Sequence, residues 1–137
     1  YNYTFGNTAL IKLATDGSPV WSYRVEKDMK SFSDGGRGLN TYAWVNGSDI
    51  NIFFADAMTN HDNKVEAIQF GDRRINLFLQ IGADGKMKNK TLIGDSRIGG
   101  KTGPYLFIPS TGSVYKDNKL FMLASRGLEL VGATISY

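Results

Sequence analysis

The chain has 137 residues, of which 42% are hydrophobic and 21% charged, and 16 basic and 13 acidic residues give a formal net charge of +3. These values are typical of one globular domain, and no apolar run approaches the ~20 residues that span a bilayer. The charges are scattered and cysteine is absent, so we expect no nucleic-acid partner, no membrane span and no disulfide.

The first predicted element is a hairpin within residues 9–25 (ALIKLATDGSPVWSYRV). Asp16-Gly17 marks its turn, because this dipeptide supplies the positive φ of a tight two-strand connection. Trp21 and Tyr23 alternate with polar neighbours on the second strand. The alternation predicts that both rings pack in the core.

The central part of the chain alternates apolar residues with a period of two, which predicts half-buried strands. Three such stretches are DINIFFAD (49–56), RINLFLQIG (74–82) and KLFMLAS (119–125). Asn46-Gly47 and Asp84-Gly85 predict the adjoining hairpin turns. The opposite face of each strand is also partly apolar, which favours sheets packed on both sides.

Between these strands the sequence predicts loops and little helix, since no segment keeps a helical period over ten residues. Glu26 to Gly38 reads as a long polar loop, and Asn63 to Phe70 as a strand. The glycine-rich stretch 94–102 has the wrong spacing for a phosphate-binding loop and is followed by strand-like sequence. We therefore expect no cofactor.

The candidate ligand-binding residues are Tyr42, Trp44, Asp56, His61 and Asp62. The last three belong to an Asx-rich loop whose oxygen ligands suit Ca²⁺, but the spacing does not match a calcium loop, and we expect an ordinary turn without metal. A single histidine also gives no hydrolytic triad, so no catalytic residue is assigned. Aromatic rings beside carboxylates leave open a glycan-binding or glycosidase site.

Parts of the first half of the sequence return in the second half. Three pairs of segments match in the same order: 3–7 with 68–72, 9–17 with 77–85, and 46–52 with 116–122. Self-similarity at a fixed period of roughly 65 to 70 residues indicates a repeat architecture. The alternative is coincidence among strands that share a glycine turn.

The repeat divides the single all-β module 1–137 into a first unit at about 3–62, a second at about 68–126 and the start of a further strand at 128–137. It predicts that Ile11 superposes on Leu79 and Ile50 on Leu120.

An apolar strand that closes on Asp-Gly and is followed by a strand containing Val20-Trp21 resembles the blade pattern of bacterial β-propeller repeats, of the kind found in secreted and surface proteins of Bacteroidetes. The motif returns without its aromatic pair at 75–93, so the resemblance covers about half the chain. It implies an antiparallel meander of about two blade-like repeats, with a β-sandwich as the alternative. The unit is longer than the ~40–50 residues of common blades, which leaves the blade count open.

The function expected from this resemblance is a binding or scaffolding module of a larger secreted or surface protein, either periplasmic, outer-membrane-associated or extracellular. The alternative is a piece of a propeller enzyme acting on glycans, whose site is completed by missing blades. Because the chain opens on Tyr1 in strand-like sequence, we expect an excised piece of a longer protein. Its partners would be a protein or a glycan, together with copies of itself that pair through exposed edge strands.

Overall fold

A computed structural model describes residues 2–32, 40–57, 74–95, 106–115, 118–126 and 129–137. These residues form an all-β structure of antiparallel strands and contain no helix. The strands are β1 (Asn2–Phe5), β2 (Thr8–Leu13), β3 (Pro19–Val25), β4 (Met29–Phe32), β5 (Thr41–Asn46), β6 (Asp49–Ala57), β7 (Arg74–Ile81), β8 (Met87–Asp95), β9 (Leu106–Tyr115), β10 (Lys119–Arg126) and β11 (Glu129–Ser136).

The strands form open sheets in which chain neighbours pair. We call β2–β3 the first hairpin, β5-β6-β7-β8 the middle sheet and β9-β10-β11 the third sheet. A short pair, β1 with β4, continues the first hairpin beyond an interruption at residues 6–7 and 26–28. The prediction of an all-β antiparallel fold is confirmed, and none of these sheets closes on itself.

The middle sheet lies between the first hairpin and the third sheet, and each of its faces belongs to a separate apolar cluster. The first cluster joins residues of β6 and β7 to Val25, Leu10, Trp21 and Tyr23 of the first hairpin. The second joins the opposite face of the same two strands to the third sheet. Its buried members are Trp44, Phe53, Phe78, Leu120, Met122 and Ile135. The sheets therefore stack in layers, as the two apolar faces of the central strands predicted.

The predicted period-two faces are confirmed for the central strands. Ile52 and Phe54 of β6, and Leu77 and Leu79 of β7, are buried in the first cluster. Burial of each such side chain contributes about 1.5–3 kcal/mol. Ile50 is half-buried against the same cluster, at its margin.

The three predicted turns are confirmed, since Gly17, Gly47 and Gly85 have φ of +85°, +61° and +80°. The two Asp-Gly turns also contain equivalent internal hydrogen bonds. The Asp16 side chain accepts from the Ser18 backbone amide at 2.9 Å, and Asp84 accepts from that of Lys86 at 3.1 Å.

The hairpins β2–β3 and β7–β8 have the same strand register 68 positions apart. Leu13 faces Pro19, and Ile81 faces Met87. One pair farther from each turn the register shifts by a residue, between Lys12 and Leu13 and between Gln80 and Ile81. A bulge at the same place in both hairpins aims the equivalent side chains at the same sides of their sheets.

The other predicted correspondence is less regular. The β5–β6 turn connects Asn46 and Asp49, which pair directly, whereas the β9–β10 turn connects Tyr115 and Lys119 and is one residue longer. The pairing of β9 with β10 also contains an irregularity in which residues 109–112 lie opposite Met122 alone, and Thr111 Oγ1 accepts from the Leu123 amide at 2.9 Å.

One predicted loop is wrong. Within Glu26 to Gly38, residues Met29–Phe32 form β4 and pair with β1. Met29 is buried against Phe5 and Ala55, so packing onto the middle sheet stabilises a strand that its sequence alone did not indicate. The strand predicted over Asn63 to Phe70 lies outside the described residues.

Candidate functional site

A groove of about 350 Å³ lies between the first hairpin and the middle sheet. Residues of β3 and β8 line the groove, together with Phe54 and Leu79 of the first apolar cluster. Its described lining residues are Tyr23, Arg24, Val25, Glu26, Phe54, Leu79, Met87 and Lys90. The volume lies at the lower end of the ~300–1,000 Å³ range of small-ligand sites.

The groove combines an apolar floor with charged groups at its rim. Phe54 and Leu79 are buried below it, and Tyr23 is half-buried in its wall. Arg24 pairs with Glu26 at 2.7 Å, and both side chains are largely exposed, so this ion pair contributes little to stability. Lys90 adds a cation from the facing strand. Such a surface can stack a planar or sugar ring while its charged rim binds polar substituents.

A smaller cleft of about 290 Å³ lies beside the interruption of the first hairpin, lined by Asn7, Glu26, Lys27 and Asp28. The Asn7 side chain accepts a hydrogen bond from the Lys27 amide at 3.0 Å, which holds the interruption in place. Burial lowers the pKa of Lys27 from 10.5 to about 8, although the nearby Asp56 carboxylate opposes this shift. The Lys27 ammonium lies 5.8 Å from the centre of the Phe5 ring.

Two of the predicted ligand-binding residues, Tyr42 and Trp44, belong to an aromatic cluster between the middle and third sheets. Trp44 is buried, and its Nε1 donates to the Tyr137 hydroxyl at 2.9 Å. The Trp44 ring centre is 5.6 Å from that of Tyr42 and 5.9 Å from that of Phe78. In this position Tyr42 and Trp44 pack between the middle sheet and the third sheet.

Asp56, another predicted ligand-binding residue, is fully buried in β6. One carboxylate oxygen accepts from the backbone amides of Ala57 at 2.8 Å and Asp28 at 3.2 Å, which ties the end of the first hairpin to the middle sheet. Trp44 pairs with Asn51, five positions from Asp56, so the two residues lie about 16 Å apart along the sheet. The structure does not bring them into one site, and His61 and Asp62 lie outside the described residues.

Sequence reasoning missed Asn51, which is fully buried on β6. Neither its side-chain oxygen nor its side-chain nitrogen has a hydrogen-bond partner among the described residues. Asn51 is a polar residue at a position that shares a strand face with the apolar Phe53, and this break in the apolar pattern is the feature of the sequence that could have indicated it. An unpaired buried amide costs about 1–3 kcal/mol.

No protein-family model, no curated protein and no solved structure matches this chain. No helix in the described ranges has the length and apolar character needed to cross a membrane. Within the same ranges, no three acidic, histidine or cysteine side chains gather as a metal site would require.

Proposed function

We propose that this chain is a binding or scaffolding module built from propeller-like repeats and belongs to a larger secreted or surface protein. The observation that carries the proposal is the identity of register between β2–β3 and β7–β8, including the turn and the bulge next to it. Chance similarity of two hairpins does not require equal bulge positions, whereas a repeated structural unit does.

The repeat accounts for the composition of the middle sheet. The hairpin β5–β6 comes from the first unit and β7–β8 from the second, so the four-stranded meander combines the end of one repeat with the beginning of the next. By the same scheme the third sheet combines the end of the second repeat with β11 as the first strand of a third. Face-to-face stacking of such four-stranded sheets is the arrangement of propeller blades.

The ligand proposed for the module is a protein segment or a glycan, bound in the groove between β3 and β8. The groove offers Tyr23 for stacking and the Arg24 and Lys90 cations for carboxylate or hydroxyl groups. The described lining residues therefore support binding through ring stacking and charge pairing.

The test is a glycan and peptide array probed with the 137-residue chain, followed by titration of any ligand found. The variant Lys90→Glu inverts a charge at the groove, while Lys86→Glu makes the same change on a largely exposed side chain at the β7–β8 turn. We expect Lys90→Glu to weaken binding and Lys86→Glu to leave it intact. Equal effects of the two variants, or no ligand in the array, would count against the groove as a binding site.

A further inference from the structure

Apolar side chains are exposed on the outer face of the first hairpin, opposite the face that packs on the middle sheet. Ile11 and Leu13 have 61% and 57% of their surface exposed. Register places Ile11 opposite Ser22 and Leu13 opposite Pro19, so these side chains project from the same side of the hairpin. These two exposed apolar residues show that the outer face of the hairpin has no covering layer among the described residues, whereas both faces of the middle sheet are covered.

The repeat shows what covers the equivalent face. Sixty-eight positions later, Leu79 and Ile81 stand where Ile11 and Leu13 stand in the first hairpin, and both are buried. Their cover is the inner face of the preceding layer, with Trp21 half-buried against the cluster. By this equivalence, the face that carries Ile11 is shaped to receive another layer of the same kind.

The opposite end of the stack carries the complementary surface. On the third sheet, Leu120 and Met122 are buried against the middle sheet, so Phe121 and Leu123 lie on the outer face of β10. Ile108 pairs with Leu123, and the ring of Phe121 lies across Gly132. On the same face, Leu130 of β11 pairs with Ser125 and is 62% exposed.

The layers are stacked in one orientation, which decides how the stack can continue. Trp21 Nε1 and Lys12 Nζ of the first hairpin donate to the Ala83 carbonyl in the corresponding turn of the middle sheet, at 2.9 and 3.3 Å. Asn46 at the β5–β6 turn likewise donates to Asn118 at the β9–β10 turn, at 3.4 Å. Equivalent turns therefore lie side by side at both layer contacts, and a further layer would be added head to tail.

We propose that the outer face of the first hairpin, with Ile11 and Leu13, binds the outer face of the third sheet, with Leu123 and Leu130, of a second copy of this chain. This inference rests on the repeat proposed above. A contact between two different faces is heterologous, so it produces a closed ring or a growing stack, according to the rotation between copies.

The experiment is sedimentation velocity of the 137-residue chain over a range of concentrations, with one charge variant on each face. Ile11→Lys removes the first face and Leu130→Lys the second, and the like charges keep the two altered faces from binding each other. Each variant alone should associate with a dissociation constant raised at least about tenfold, and should therefore sediment as a monomer. The reason is that every contact needs one intact copy of each face. An equimolar mixture should give a dimer and nothing larger, since only one pair of intact faces remains.

Controls separate this result from unfolding and from general stickiness. Val45→Lys changes an exposed apolar residue of the middle sheet that lies outside the groove, and this variant should associate as the unmodified chain does. Leu13→Lys replaces Ile11→Lys if that variant has a lower thermal midpoint, because Leu13 lies on the same face of β2. A monomeric unmodified chain at high concentration, association that Leu130→Lys leaves unchanged, or a mixture without dimers would each overturn the inference. Ligand binding by a monomer would leave the proposed function standing and remove only this inference.

Discussion

Substitution of Gly85 by alanine tests the packing between the first hairpin and the middle sheet, and the other Asp-Gly turn supplies a matched control at Gly17. Both glycines occupy the same turn position with φ near +80°. A Cβ on Gly85 would lie 2.7 Å from Cγ and Cδ2 of Trp21, whereas a Cβ on Gly17 would meet nothing within 4 Å. Both substitutions therefore introduce the same backbone strain, but only Gly85→Ala also introduces a steric clash with Trp21.

The left-handed backbone conformation costs an alanine about 1–2 kcal/mol at either position. At Gly85 the added methyl group also overpacks the contact with Trp21, which costs about 1–3 kcal/mol more. We expect Gly17→Ala to lower the free energy of unfolding by about 1–2 kcal/mol, and Gly85→Ala by about 2–5 kcal/mol.

The assay is urea unfolding followed by tryptophan fluorescence and circular dichroism, whose transitions must coincide for a two-state treatment. In a Trp21→Ala background the additional cost of Gly85→Ala should largely vanish, because the colliding ring is gone. Equal costs at Gly17 and Gly85, or an additional cost that persists without the ring, would refute the described contact between Trp21 and the second Asp-Gly turn.

Three further outcomes follow from buried and half-buried groups. Trp21→Ala should cost about 2–3 kcal/mol in urea melts, less than the ~3–5 of a fully buried ring, and a loss below ~1 kcal/mol would mark the indole as exposed and available to a ligand. Asn51→Leu should raise the free energy of unfolding by about 1–3 kcal/mol, since it removes an amide without partners among the described residues, and a decrease would show that the amide is hydrogen-bonded. The pKa of Lys27 is depressed to about 8, so the unfolded chain binds more protons between pH 8 and 10.5. The contribution of Lys27 to stability is therefore fully present above pH 10.5 and lost as pH falls through about 8. Between these values the free energy of unfolding should depend on pH with a different slope in the unmodified chain and in Lys27→Met. Parallel slopes would contradict the lowered pKa.

Local sequence predicted strands and turns well because both depend on neighbouring residues. The period of two in DINIFFAD predicted that Ile52 and Phe54 share a face, and the packing of the first cluster agrees. Asp16-Gly17 and Asp84-Gly85 predicted tight turns because glycine reaches positive φ without a clash. The match between residues 9–17 and 77–85 likewise anticipated the shared register of two hairpins, though not the bulge beside each turn.

The candidate site was much less predictable. The sequence indicated Trp44 and Asp56 as ligand-binding residues, since an aromatic ring and a carboxylate suit a glycan. In the fold, Trp44 packs between two sheets and donates to Tyr137, and Asp56 accepts from backbone amides. The same side-chain chemistry serves a ligand or the protein itself, and burial decides between them.

By itself, the sequence determined the all-β class, the positions of the main strands, their apolar faces and the glycine turns, because each of these is set over a few adjacent residues. Tertiary structure alone decided which strands share a sheet and which layer covers each face. The pairing of β6 with β7 joins two hairpins in one sheet, and Met29 of β4 is buried against Phe5 and Ala55. Alternation tells which side chains share a face but carries no information about the partner of that face, since any apolar layer of suitable shape satisfies it.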